Sequence, residues 1–161
     1  MLPLTHTHQQ RGLYTRAFVR SLDLPEVAAI SKASFAEPWT ARDFRRVWRD
    51  TSVLGHVAIE GERLVGYLFT RLEVGGYRLI NLAVRPGYCR QGIGTRLVDR
   101  YSRALSAELR RWCVAHVGER DRGTQEFLRR LGFRAVAVER NYFGADDGYL
   151  FRRTFLDEVQ A

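Results

Sequence analysis

The sequence predicts an α/β domain on a mixed, mostly antiparallel sheet with a strand-helix-strand unit at its centre. Three observations carry this prediction. Strand-length apolar segments and segments at helical spacing follow the order strand, two helices, three strands, helix, strand, helix, two strands. The turns Gly61-Glu62 and Gly75-Gly76 separate the early strands at hairpin distance. An apolar run at 77–84 feeds a glycine-rich turn that opens the longest helix.

In chain order, residues 1–13 mix Thr, His, Gln, Arg and Gly without periodicity and read as a flexible N-terminal tail. Residues 14–20 form a short strand around Phe18 and Val19. Asp23 is expected to cap the next helix, with Pro25 in its first turn and Glu26 at its positive end, running to residue 35. Pro38-Trp39 breaks the chain and Thr40 caps again. Residues 41–49 then form a helix with Phe44, Val47 and Trp48 on one side.

Strands are expected at 53–60, 63–72 and 77–84, the last apolar enough to be covered on both faces. A helix follows over 92–109, with Ile93, Leu97, Val98, Tyr101, Ala104 and Leu105 in register. After a strand at 112–117 comes a short helix at 124–131, closed by Gly132. Strands at 133–138 and 149–155, joined through Gly144-Ala145-Asp146-Asp147-Gly148, complete a single domain over 14–161.

Composition narrows the function. The 161 residues are 45% hydrophobic and 27% charged, the proportions of one soluble domain. No run approaches the roughly 18 apolar residues of a membrane span, and the first residues lack signal-peptide character, so the expected location is the cytoplasm. Cys89 and Cys113 read as reduced thiols. Zinc binding would need His6, His8, His56 or His116 to join them, and no pair has metal-ligand spacing, so no metal is expected. The charge of +8 comes from arginine, Lys32 being the only lysine. Such a surface attracts phosphates. The arginines are nonetheless scattered and not interleaved with aromatics, so nucleic acid is not expected as the main partner; RNA or ribosome association remains an alternative.

The most informative segment is Val84-Arg85-Pro86-Gly87-Tyr88-Cys89-Arg90-Gln91-Gly92-Ile93-Gly94-Thr95. A basic, glycine-rich turn between strand and helix is an anion cradle: unpaired amides and a positive dipole end converge, and glycine admits close approach. No Gly-Lys-Ser/Thr follows, which excludes the mononucleotide loop, and the Gly-x-Gly-x-x-Gly dinucleotide fingerprint is absent. Alone, the turn is equally a plain helix start.

The wider context decides. Val84-Arg85-Pro86-x-Tyr88-x-Arg90-Gln91-Gly92-Ile93-Gly94-x-x-Leu97 resembles the acetyl-coenzyme A signature of the GNAT superfamily of N-acetyltransferases. Phe127-Leu128-x-x-Leu131-Gly132-Phe133 resembles its second signature. Ser34-Phe35-x-x-Pro38-Trp39, Asn81-Leu82-Ala83-Val84 and Arg140-Asn141-Tyr142-Phe143 look like segments of the ribosomal-protein alanine N-acetyltransferases. The resemblance covers 15–155.

That resemblance implies the GNAT fold and transfer of an acetyl group from acetyl-coenzyme A (acetyl-CoA, a cosubstrate) to a primary amine by direct attack. Amides of Arg90, Gln91, Gly92, Ile93, Gly94 and Thr95 would hold the pyrophosphate. The strand edge at Leu82, Ala83 and Val84 would pair with the pantetheine arm where the neighbouring strand splays away. The acceptor would be a peptide N-terminus or a small molecule.

The proton-transfer positions depart from the family. Counted back from Leu131-Gly132-Phe133, His116 stands where the subgroup has a glutamate base and Leu128 where a tyrosine acid is usual. Asp121 replaces an asparagine, and Cys89 opens the phosphate signature in place of Gln or Arg. His116 is the candidate base: imidazole ordinarily titrates near 6.5, which suits an α-amine at about 7.7–8.0 better than lysine at about 10.4. It is equally readable as a packed strand residue. Glu119 is the alternative base, or a solvated loop carboxylate. Tyr142 is the candidate donor to the thiolate, or a pocket-lining aromatic. Leu128 and His116 leave open an acyl-CoA-binding module with impaired catalysis.

Overall fold

The computed structural model describes residues 12–106 and 110–154. Eleven elements follow in the expected order: β1 (Tyr14–Ala17), α1 (Arg20–Ser34), α2 (Ala41–Trp48), β2 (Val53–Glu60), β3 (Arg63–Glu73), β4 (Gly76–Val84), α3 (Ile93–Ser106), β5 (Trp112–Gly118), α4 (Arg122–Arg130), β6 (Arg134–Phe143) and β7 (Asp146–Thr154). The seven strands form one sheet in the order β1-β2-β3-β4-β5-β7-β6. Only β4 and β5 run parallel, joined by the α3 crossover; the other neighbours are antiparallel.

Alternation along the strands sorts side chains onto two faces. Val57, Tyr67, Phe69 and Ala83 point to one, where Val27 and Ile30 of α1 and Phe44 of α2 close over them. Leu68, Tyr77, Cys113, Ala115 and Phe151 point to the other, against Leu97, Val98 and Tyr101 of α3 and Leu128 of α4. Two apolar cores thus sandwich the sheet.

Several expected boundaries move, each for a physical reason. α1 starts three residues before Asp23, which is not its cap. Asp23 lies inside the first turn and its carboxylate reaches back to accept the Val19 N–H at 2.8 Å. Arg16 of β1 holds it there with two bonds of 2.6 and 2.7 Å. Pro25 is therefore inside the helix. β1 ends at Ala17, earlier than expected. α2 matches its signals: Thr40 and Asp43 form a reciprocal capping box and Phe44 is buried.

α4 begins at Arg122, because the Asp121 carboxylate accepts the Thr124 amide at 3.1 Å. β4 is central but not covered throughout. Its residues 78–82 are half-buried, and β5 leaves its side after Leu79. β6 continues five residues past the expected 138, as the outermost strand, exposed at every position. The loop to β7 shrinks to Gly144-Ala145, so Asp146, Asp147 and Gly148 belong to β7. Most of the expected tail (1–11), residues 107–109 of the expected long helix and the end of the last strand (155) lie outside the described residues.

Candidate active site

The site begins with a split in the sheet. β4 and β5 pair only from Gly76↔Trp112 to Leu79↔Ala115. Beyond that point β4 stays with β3, up to Gly66↔Val84, while β5 follows β7 to Gly118↔Gly148. A bulge marks the divergence: successive β3 residues Phe69 and Thr70 face Asn81 and Leu79, leaving Ile80 as the extra residue. The gap is a cleft of about 1020 Å³, with Leu82, Ala83 and Val84 on one wall and Ala115, His116 and Val117 on the other. The β4 wall is an open strand edge, whose unpaired backbone groups can accept an extended partner.

At one end of the cleft lies the loop from β4 to α3. Arg90 adopts a left-handed conformation (φ 62°), as does Gly92 (φ 76°), turning the chain sharply into the helix. The first bond of that helical start runs from Arg96 N–H to the Gly92 carbonyl, 2.9 Å. The amides of Ile93, Gly94 and Thr95 therefore precede the ladder and lack helical acceptors. Arg90, Gly92, Ile93, Gly94 and Thr95 all line the cleft. Gln91, the sixth expected residue, turns its side-chain amide to the Gly87 carbonyl at 3.5 Å. Gly94 also permits close packing, since a methyl group there would meet the Phe127 ring at 3.0 Å. This end offers a helix dipole, free amides and Arg90, which together favour an anion.

At the other end His116 lines the cleft, and Tyr142, which does not line it, packs on His116. Their rings stack with centroids 3.9 Å apart and planes 5° apart. The contact spans β7, which separates their strands. A wide irregularity in β6 makes it possible: pairing jumps from Glu139↔Gly148 to Phe143↔Asp146. Asn141 is left-handed there (φ 55°), and its N–H donates to Asp147 Oδ1 at 2.9 Å. Gly148 leaves room for the crossing ring, because a methyl group there would lie 2.8 Å from Tyr142 Cβ.

His116 has two further neighbours that sequence reasoning missed. Arg78 Nη1 lies 2.6 Å from its Nδ1. Arg78 is itself anchored by Glu73 at 2.5 Å. Glu139 Oε1 lies 3.1 Å from His116 Nε2, at ion-pair distance but off the line of a formed hydrogen bond. Arg78 had one legible signal, a lone charge in the apolar run Tyr77-Arg78-Leu79-Ile80. Glu139 had none.

Glu119 is placed differently. Its N–H donates to the Asp147 carbonyl at 3.0 Å, and its Oε1 accepts the Asp147 N–H at 3.2 Å, stitching the end of β5 to β7. Leu128 is buried and lines the cleft from α4. Asn81, at the bulge, accepts a bond from the Tyr67 hydroxyl at 2.9 Å. Burial raises that hydroxyl above the ordinary phenol range, so it stays a donor. Cys89 is exposed beside the loop, whereas burial pushes the Cys113 thiol up to about 12. Among the described residues no group of three His, Cys, Asp or Glu side chains is arranged to hold a metal ion, and no helix is long and apolar enough to cross a membrane.

Known proteins share this architecture. The chain is 26% identical over 138 residues to the [ribosomal protein bS18]-alanine N-acetyltransferase of Escherichia coli strain K12, covering 83% of this chain and 90% of that one. The crystal structure of the ribosomal-protein-S18-alanine N-acetyltransferase from Escherichia coli superposes with a TM-score of 0.80 at 21% identity, over 92% of this chain and 99% of that one. Arabidopsis thaliana NAA60 in complex with acetyl-CoA superposes with a TM-score of 0.76 at 18% identity, over 89% and 98%. The sequence profile of the Acetyltransferase (GNAT) family matches residues 24–133, well over half of the chain. That match extends over the strands that part and the glycine-rich loop between them and α3, and this chain belongs to the Acetyltransferase (GNAT) family.

Proposed function

We propose that the protein moves the acetyl group of acetyl-CoA to a primary amine, the acceptor being the α-amine of a protein N-terminus. The carrying observation is the cleft, which is lined both by the anion-favouring loop and by His116 and Phe143. In this reading the amides of Arg90 to Thr95 and the α3 dipole hold the carrier's pyrophosphate, and the edge at Leu82, Ala83 and Val84 pairs with its pantetheine arm. The thioester is then held where β4 and β5 part.

The acceptor nitrogen attacks the thioester carbonyl, a C–N bond forms, the C–S bond breaks and the sulfur leaves as thiolate. Proton removal from the amine is organised around His116. Tyr142, stacked on that ring, is the candidate donor to the thiolate. Glu119 is the weaker candidate for proton removal, since its carboxylate already accepts the Asp147 amide. Phe35, Phe143 and Asp146 frame the cleft on the acceptor side, where the Asp146 carboxylate is paired with Arg120 at 3.3 Å. The N-terminal acceptor is supported by the alanine N-acetyltransferase likeness over 83% of the chain. Two unpaired thiols fit a reducing cytoplasm as the place of reaction.

The test is thiol release from acetyl-CoA against peptides with free N-termini and against small amines, followed by mass mapping of the product. Label on the peptide α-amine is expected. Label found only on lysine side chains or only on small amines overturns the N-terminal acceptor, and absence of thiol release with every amine overturns the transferase reading.

A further inference from the structure

We infer that Glu139 is the group that takes the proton from the attacking amine, with His116 as its positioning residue; this rests on the transferase reading above. The argument starts from Arg78. A guanidinium stays protonated in proteins and has no acceptor, so at 2.6 Å from His116 Nδ1 it can only donate. The Nδ1 lone pair is thereby committed. The single proton of the ring sits on Nε2, which faces Glu139 Oε1 at 3.1 Å. Tyr142 covers one ring face at 3.9 Å, and the His116 side chain is only 9% exposed. A ring in this setting has no free lone pair with which to accept a proton.

The neighbouring carboxylate does. Glu139 is 46% exposed on the outermost strand and carries acceptor sites that His116 does not use. It stands against the ring that lines the acceptor wall of the cleft. Anchored by Glu73, Arg78 fixes the ring's tautomer and leaves the N–H on Nε2, 3.1 Å from the carboxylate though off the line of a formed hydrogen bond. Glu139 does not itself line the cleft but borders it behind His116, so when the C–N bond forms and the thiolate departs the amine proton passes to Glu139 through one water, and from there to solvent. The carboxylate that the family resemblance places on the β5 position of His116 is in this chain supplied from β6.

The experiment pairs a spectroscopic arm with a kinetic one. In ¹⁵N-histidine NMR of the wild type, His116 should show an unprotonated Nδ1 and a proton on Nε2; a proton on Nδ1 overturns the inference. In kcat/KM with a peptide amine, Glu139→Gln should lose roughly 10²–10⁴-fold, with acetyl-CoA affinity and circular dichroism unchanged. His116→Gln, which keeps an acceptor for Arg78 and a donor for Glu139, should lose no more than about tenfold. A Glu139→Gln enzyme at the wild-type rate, or a His116→Gln enzyme far slower than Glu139→Gln, overturns the inference while leaving the transferase reading intact. A wild type that releases no thiol with any amine takes down both.

Discussion

Tyr142 lies flat on His116 across an intervening strand, and the missing side chain of Gly148 is what lets it do so. Gly148→Ala therefore pushes a methyl group against Tyr142 Cβ. The overpacking should cost about 1–3 kcal/mol in stability and lower kcat/KM for a peptide acceptor. Acetyl-CoA affinity should stay at the wild-type value, because the anion loop lies at the other end of the cleft. Urea unfolding, calorimetry and steady-state kinetics on one preparation check all three; unchanged stability would show that the ring has another place to rest.

At the loop, Gly92→Glu and Gly94→Glu bring a negative charge to the helix start, and at Gly94 the new side chain also meets Phe127. Both variants should lose measurable acetyl-CoA binding by calorimetry while keeping the far-ultraviolet dichroism of the wild type. Wild-type affinity in both would remove the loop from the binding site.

The Arg16–Asp23 pair ties β1 to α1, and the Asp23 side chain is only 3% exposed. Burial pushes its carboxyl up, but the Arg16 bonds and the Val19 amide outweigh that and hold it below the ordinary carboxylate value. A depressed carboxyl contributes stability that is present above its unfolded pKa and lost as pH falls through the folded one. Asp23→Ala should cost about 3 kcal/mol at neutral pH, since it leaves Arg16 unpaired against the helix. The gap to wild type should narrow as the medium is acidified below the ordinary carboxylate range. A gap that holds constant to the lowest pH at which the protein stays folded would deny the pair its role.

The two cysteines should separate cleanly. Cys89 is exposed beside the loop, whereas the Cys113 thiol, pushed up to about 12 by burial, stays protonated and out of reach. Iodoacetamide at pH 8 should label Cys89 alone, coenzyme A should protect it, and Cys113 should react only after unfolding. Peptide mapping reads the outcome; early labelling of Cys113 would mean that the core between α3 and the sheet opens readily.

The order of elements was legible because each carries local signals: hairpin glycines, the Thr40 cap, the apolar stripe of α3. The turn into α3 was legible for the same reason, its glycines bending the backbone within a few residues. The start of α1 was not. Asp23 has the composition of a cap, but its place is set by Arg16, a tertiary partner on another element. The end of β6 was hidden likewise, since Asp147 of the next strand supports the irregularity that carries it to Phe143. The surroundings of His116 were the least legible. Arg78 reaches it across 38 residues of sequence and Glu139 from beyond an intervening strand, and no spacing rule announces either.

The two halves of the sheet are unequally insulated. On the α1–α2 side, β2 and β3 lie under a full apolar cover, whereas none of the residues of that core comes from β5, β7 or β6. Local opening costs least where backbone hydrogen bonds are least shielded. Amide exchange should therefore be slowest along β3 and quicken strand by strand toward β6. The half that carries Tyr142 and Glu139 is thereby the pliant one, while the half under the α1–α2 cover holds its shape.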